Sequence, residues 1–250
     1  MAGATDRGLK RTMNQDSLFF DEVLGIAIVA DGIGGRKGGE VASSLVVNHL
    51  RKAFENAKKL SQNDLYSFLR YHIQQINSEI YDRSKNDAQE GMGTTLECLV
   101  FAGQKLLIGH VGDSRTYLIA QDHIFQLTTD HNVGSFLDQG LILPQNIHPQ
   151  TRREALVKAV GIAADCDSDI YEVDLRPESV FLTCSDGLFN MLSAKEITSY
   201  FNGTAFDEIP EKLIAAANAK GGKDNITVVI SQIPGGFVKT IQTTTSGPQK

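Results

Sequence analysis

Leu24-Gly25-Ile26-Ala27-Ile28-Val29-Ala30-Asp31-Gly32-Ile33-Gly34-Gly35-Arg36-Lys37-Gly38-Gly39 is the stretch on which the reading of this chain turns. An unbroken apolar run of strand length bounded by glycine reads as a buried strand. This one delivers the Asp31 carboxylate at its end into glycine-rich backbone. The pattern returns at Val180-Phe181-Leu182-Thr183-Cys184-Ser185-Asp186-Gly187. It returns reversed where Lys223-Asp224-Asn225 precedes Ile226-Thr227-Val228-Val229-Ile230. Three carboxylates at strand ends point to one shared site.

Outward from these strands, Val41, Leu45, Val46, Leu50 and Phe54 recur at helical spacing between about Gly39 and Lys59. A second helix follows from Ser61, with Asp64 completing a capping-box-like start. The runs 94–101, 105–111, 116–120 and 123–127 are short and β-type, separated by Ala102-Gly103-Gln104, a polar Gly-Asp-Ser segment and Gln121-Asp122, and read as an antiparallel meander. From Thr128 to Asp167 the pattern weakens around Gly134, Gly140, Pro144 and Pro149, as expected of a mobile flap carrying short helices beside a site. A strand pair (170–175, 179–184), helices over 194–200 and 207–219, and a closing strand over 225–232 complete the pattern. Residues 1–234 read as a single domain, and the Thr-, Gly- and Ser-rich tail 235–250 as disordered. Strands in meanders and helices in pairs give an α+β class: two packed antiparallel sheets with helices on both outer faces.

At 250 residues the chain is long enough for one well-buried core, and its 41% hydrophobic and 22% charged residues are ordinary for a globular protein. No run approaches the roughly 18 apolar residues of a membrane span. The N-terminus lacks the order of a secretory signal, and three scattered cysteines do not make a disulfide framework, so a cytoplasmic setting is expected. A net charge of −6 without a Lys/Arg stripe argues against nucleic-acid binding; Arg51-Lys52 and Lys58-Lys59 read as solvated helix faces.

Asp16, Asp31, Asp113, Asp186 and Asp224 all lie beside glycine or at strand ends. Hard divalent cations such as Mg²⁺ or Mn²⁺ take oxygen ligands and keep several waters, which suits carboxylates gathered from distant strands. The absence of paired Cys/His spacing argues against zinc. Two such ions about 3.5–4 Å apart clamp an attacking hydroxide and a phosphate oxygen, so phosphoryl hydrolysis is the expected chemistry. Arg11 is the candidate for holding phosphate, because a guanidinium fork matches two phosphate oxygens. Each Asp-Gly alone is more often a turn, and it is their joint arrangement that carries weight. Arg115 and Arg152 read as structural or rim residues, His110 and His131 as satisfied structural histidines, and Cys184 as core. The glycine run matches neither G-x-x-x-x-G-K-[ST] nor G-x-G-x-x-G, so a nucleotide cradle is not indicated.

Taken in order, Arg11-x-x-Asn14-Gln15-Asp16, Asp31-Gly32-Ile33-Gly34-Gly35, Gly93-Thr94-Thr95, Gly109-His110-Val111-Gly112-Asp113-Ser114-Arg115, Leu127-Thr128-x-Asp130-His131, Ser185-Asp186-Gly187-Leu188 and Asp224-Asn225 resemble the protein phosphatase 2C family of metal-dependent serine/threonine phosphatases, particularly its compact bacterial members. The resemblance runs from Thr5 to about Ile233. It implies a four-layer sandwich with a two-metal centre where the sheets meet. Asp31, the Gly32 carbonyl, Asp186 and Asp224 would be metal ligands, and Asp16 would act through water or hold that shell. Asp113, with Asp186, would help bind a third, weaker cation, and Arg11 would hold the phosphate. The reaction would be direct attack of a metal-bridging hydroxide on phosphorus, with no phosphoenzyme. Phosphorylated protein substrates, an opposing Ser/Thr kinase, no nucleic acid, no membrane and a monomeric state are the expected partners and setting. Two departures stand out: Arg36 where many relatives have histidine, and Gln15 where many have glutamate. Reduced or altered activity is the most they imply, since every ligand carboxylate is kept. A non-catalytic regulatory module of the same fold and a hydrolase of small phosphate esters remain open beside the phosphoprotein phosphatase.

Overall fold

The computed structural model describes residues 1–57, 60, 62–85, 91–120 and 123–235. The tail 236–250, Lys58-Lys59, the Ser61 helix cap, the Gln121-Asp122 turn and the Arg36 side chain lie outside the described residues. In chain order the strands are β1 (Ala2–Asp6), β2 (Asp16–Asp21), β3 (Ile26–Ile33), β4 (Gly93–Thr94), β5 (Leu96–Ala102), β6 (Lys105–Val111), β7 (Arg115–Ala120), β8 (His123–Gln126), β9 (Asp169–Asp174), β10 (Val180–Cys184) and β11 (Ile226–Gln232). The helices are α1 (Gly35–Asn56), α2 (Gln62–Arg83), α3 (Val133–Asp138), α4 (Asp186–Phe189), α5 (Ala194–Ser199) and α6 (Ile209–Ala219). One antiparallel sheet runs β2-β3-β5-β6-β9 with β4 added on β3, and the other runs β1-β11-β10-β7-β8.

The α+β sandwich follows from period-2 alternation in strands that are apolar on both faces. Along β3, Ile26, Ile28 and Ala30 face α1 and α2, packing with Val46, Leu50, Leu69, Ile73 and Ile80, while Ala27 and Val29 face the opposite sheet. Along β11, Ile226, Val228 and Ile230 face α4, α5 and α6, and Val229 turns inward. Phe181, 1% exposed, fills the seam between the sheets, its ring centroid 5.9 Å from that of Phe101 in an edge-on arrangement. Burying such a side chain stabilises by roughly 1.5–3 kcal/mol. Four layers result, helices outside and sheets inside.

Three expectations are corrected. The run 94–127 is not one meander: β5 and β6 pair with each other, but β7 pairs with β10 in the other sheet. The chain changes sheets through Gly112-Asp113-Ser114, where Gly112 has φ 107 and a Cβ would sit 2.6 Å from Thr95. β9 and β10 likewise belong to different sheets, with β9 on β6. Alternation identifies a strand and its faces but not its partner, so neither split is encoded locally. The third is the start of the first helix. α1 starts at Gly35, earlier than its apolar spacing indicates, with Gly38 and Gly39 donating back to the Gly34 carbonyl at 3.2 and 3.1 Å.

Segment 128–167 holds α3 and one 3-10 turn at Pro144–Asn146, and is fastened by isolated bridges Asn132↔Leu156 and Thr94↔Val160. Among the described residues, no helix is long and apolar enough to cross a membrane.

Candidate metal centre

The register of β2 on β3 sets Asp16 directly opposite Asp31. Gly32 follows because nothing larger fits: a Cβ there would lie 2.1 Å from the Gly39 carbonyl oxygen and 2.6 Å from that of Gln15. The second Asp-Gly has the same cause, since a Cβ on Gly187 would lie 1.9 Å from the Asn225 carbonyl oxygen. Each glycine thus lets two strand ends approach closely, and the adjacent aspartates are carried toward one another across the mouth of the sandwich.

There the two sheets open into a cleft of about 790 Å³ whose walls include Arg11, Asp31, Gly32, Asp113, Asp186 and Asp224. Glu154, Leu156 and Ile162 of segment 128–167 close one side. Six of the seven residues singled out as candidates therefore meet at one surface. The seventh, Asp16, stands behind it, buried at 8% exposure. Its Oδ2 accepts bonds from Ser185 Oγ and Thr227 Oγ1, both at 2.7 Å, while Oδ1 has no hydrogen-bond partner. Asp186 also has a buried, unpartnered Oδ1, and its Oδ2 accepts from Asn190 Nδ2 at 3.0 Å. Asp224 accepts from Arg11 Nη2 at 2.7 Å and from the Asn225 backbone N–H at 2.9 Å.

Asn225 does work that its type alone did not reveal. Its Oδ1 accepts from the Gln15 N–H at 2.9 Å, and its Nδ2 donates to the carbonyls of Arg7 at 2.8 Å and Met13 at 3.0 Å. It stitches the loop carrying Arg11 to the start of β11. Ser185 and Thr227 are the other supporting residues that sequence reasoning missed; hydroxyls spaced along two strands carry no local signature of a shared carboxylate. Arg115 is structural as expected, gripping Asp130 through Nε (2.8 Å) and Nη2 (2.7 Å) and lying 3.7 Å over the Phe189 ring. His110, His131 and Cys184 are buried.

The electrostatics are one-sided. Burial pushes the Asp31 carboxyl well above the usual range, and the charges of Asp16, Asp186, Asp113 and Asp224 add to it. Asp31 is partly open by surface area, yet protein surrounds it closely enough for desolvation to lead. Asp186 is raised to about 7, by burial first and then by Asp113 and Asp224. Asp16 and Asp113 are each raised to about 6, again chiefly by burial. A carboxylate cluster this crowded holds protons unless cations neutralise it. The donor set, all oxygen, and two buried orphan carboxylate oxygens fit hard divalent cations. Among the described residues no three His, Cys, Asp or Glu groups already converge on a single metal-sized point. The carboxylates share the lining of the cleft instead, with Asp224 tied to Arg11. Cations here would be held partly through water, as Mg²⁺ and its analogues usually are.

Residues 7–229 match the family model described as protein phosphatase 2C. The serine/threonine phosphatase stp of Listeria innocua is 36% identical over 234 residues, covering 90% of this chain and 92% of that protein. A structure of the S. agalactiae serine/threonine phosphatase superposes with a TM-score of 0.84 at 30% identity, covering 93% of this chain and 98% of that one. The catalytic domain of the phosphatase PstP in complex with two manganese ions superposes with a TM-score of 0.79 at 32% identity, covering 93% and 97%.

Proposed function

The chain belongs to the protein phosphatase 2C family and is a metal-dependent serine/threonine phosphatase, and on that premise we propose how its own residues carry out the reaction. The observation that carries the reading is the convergence of Asp31, Asp113, Asp186, Asp224 and Arg11 on one cleft. Asp31, the Gly32 carbonyl, Asp186 and Asp224 would hold two Mn²⁺ or Mg²⁺ ions, and Asp113 with Asp186 would serve a third. When bound, such ions supply a water of lowered pKa as nucleophile and neutralise phosphate charge.

The protein's part is positioning. Asp16, its Oδ2 held by Ser185 and Thr227, would offer its unpartnered Oδ1 to the ligand shell. Arg11, 52% exposed, is poised to exchange Asp224 for the substrate's phosphate oxygens, since a guanidinium binds both through the same fork. Segment 128–167 acts as the flap of one domain spanning 1–234, its Leu156 and Ile162 giving the cleft an apolar wall against water. Phosphorylated proteins are the substrates, and a Ser/Thr kinase is the opposing activity. Three free thiols, two of them buried, suit a reducing cytoplasm.

A panel of phosphoserine, phosphothreonine and phosphotyrosine peptides with an aryl phosphate, assayed in Mn²⁺, Mg²⁺ and chelator, tests this. The first two peptides should be cleaved only with metal and faster than phosphotyrosine. A chelator-resistant rate, or aryl phosphate cleaved with every peptide inert, would overturn the reading. Arg11→Ala should lower kcat/KM by about 10- to 100-fold, the worth of one or two charge-assisted bonds. A rise in KM alone means Arg11 holds ground and transition states equally; a fall in kcat as well means it tightens during the reaction.

A further inference from the structure

Beneath the cleft lies a polar chain that the reaction does not touch. Glu97 on β5 and His110 on β6 are directly paired in register and both 0% exposed, with His110 Nδ1 against Glu97 Oε1. Glu97 Oε2 accepts from Thr116 Oγ1 at 2.6 Å, and Thr116 meets Thr183 at 3.2 Å, so this one carboxylate fastens β5 to β7 and β10 of the other sheet. His110 Nε2 faces the Thr129 carbonyl at 2.9 Å. Both ring nitrogens therefore face oxygen acceptors. Nε2 must carry a hydrogen, and a second proton is shared between Nδ1 and Glu97.

His131 packs against His110 with ring centroids 4.5 Å apart and planes tilted by 54°, and has the opposite arrangement. Its Nδ1 accepts from the Gly112 N–H at 3.1 Å, so Nε2 carries the hydrogen and donates to Asp169 Oδ2 at 3.2 Å. The His131 backbone N–H donates to the Gly112 carbonyl at 2.7 Å. One residue thus binds both polar groups of Gly112, the residue before Asp113 and the point where the chain changes sheets. On the far side the same turn is held by Ser114 Oγ, 2.7 Å from Thr95 Oγ1, which in turn accepts from the Asp31 N–H at 2.9 Å. Thr129 and His131, at the base of segment 128–167, and the turn bearing Asp113 therefore share one anchor.

We propose that the Glu97–His110 pair, acting through His131, is a positioning device that fixes the Asp113 turn and the base of segment 128–167 together, and so sets how tightly the outer cation beside Asp113 is held. This rests on the reading of Asp113 as a ligand. Glu97 and His110 touch neither substrate nor metal. An isosteric break, Glu97→Gln, removes the shared proton's acceptor charge without opening a cavity, and residues supporting metal ligands typically alter affinity by about 10- to 100-fold.

The test is a calorimetric Mn²⁺ titration of the full-length wild-type, Glu97→Gln, Asp169→Ala and Asp113→Asn proteins. Asp113→Asn should lose the weakest class of Mn²⁺ sites. Glu97→Gln should weaken that class about tenfold while the tight class stays within about twofold. Asp169→Ala, at a 40% exposed residue on an edge strand, should shift it in the same direction and covers the case in which Glu97→Gln does not fold. Trypsin should also cut faster at Arg152 and Arg153 in Glu97→Gln. Unchanged Mn²⁺ affinities in the Glu97 and Asp169 variants, or equal weakening of every class, would overturn the inference. Retention of the weak class in Asp113→Asn would instead remove the ligand reading beneath it, and the inference with it.

Discussion

Asp31→Asn is expected to lower kcat/KM by about 10³-fold or more, the loss implied by several kcal/mol of forfeited charge stabilisation, while making the metal-stripped protein more stable. The two effects have one origin. Asp31 faces Asp16, Asp186, Asp113 and Asp224, and its pKa is raised by burial and by those charges. A carboxyl whose folded pKa exceeds its unfolded value of about 4 binds more protons folded than unfolded between those two limits. The slope of stability against pH is then negative. Its stabilising contribution is complete below about pH 4 and lost as pH rises through the folded values, about 6 for Asp16 and Asp113 and about 7 for Asp186. In chelator the wild type should therefore melt at lower temperature at pH 7.5 than at pH 5.5. Asn at position 31 should flatten that slope and raise Tm at neutral pH, by ~2–4 °C for each kcal/mol of repulsion relieved. Saturating Mn²⁺ should reverse the order, stabilising the wild type by mass action and the variant much less. Differential scanning fluorimetry at two pH values, with and without metal, reads all four conditions. A chelated Asp31→Asn protein that melts below the chelated wild type at pH 7.5 would contradict the electrostatic account.

The second large effect comes from an added methyl group. Gly187→Ala places a Cβ 1.9 Å from the Asn225 carbonyl oxygen, and both groups belong to backbone that cannot swing aside. Either the turn after β10 or the start of β11 must move, and Asp186 and Asp224 move apart with it. Displacing reacting groups by about 1 Å can cost about 100-fold in rate, and overpacking a tight site costs ~1–3 kcal/mol or more. Activity should drop by about that factor and Tm by several degrees, with Mn²⁺ binding weakened. An alanine variant with wild-type kcat and Tm would show that the two strand ends do not need this approach. Asn225→Ala should be milder in stability but should free the Arg11 loop, so its loss should fall on KM.

Much of this centre was legible because strand ends next to glycine are a local signal. Asp31, Asp186 and Asp224 each follow or precede an apolar run, and the glycine requirement comes from backbone approach rather than from chance. The layers were legible too, since Ile26, Ile28 and Ala30 alternate with Ala27 and Val29, leaving both faces of β3 apolar. Sheet membership was not. Gly112-Asp113-Ser114 reads as a hairpin turn, and nothing in those residues tells that β7 will pair with β10 instead of β6. The place of Asp16 depends on Ser185 and Thr227, more than 160 residues away in sequence. The joint anchoring of Asp113 and segment 128–167 depends on His131 reaching back to Gly112. Such pairings are set by the whole fold, which is why individual strands could be read while their company could not.

β1 is fastened along its whole length to β11, far along the chain, with Ala2 opposite Ile230 and Asp6 opposite Ile226. β11 also brings Thr227 to Asp16 and is immediately preceded by Asp224. A chain cut short just before Asp224 therefore has neither that carboxylate nor the strand that pairs with β1. Proteolytic trimming that reaches β11 should therefore silence dephosphorylation abruptly, because the β1 pairing and the Thr227 hold on Asp16 go in one cut.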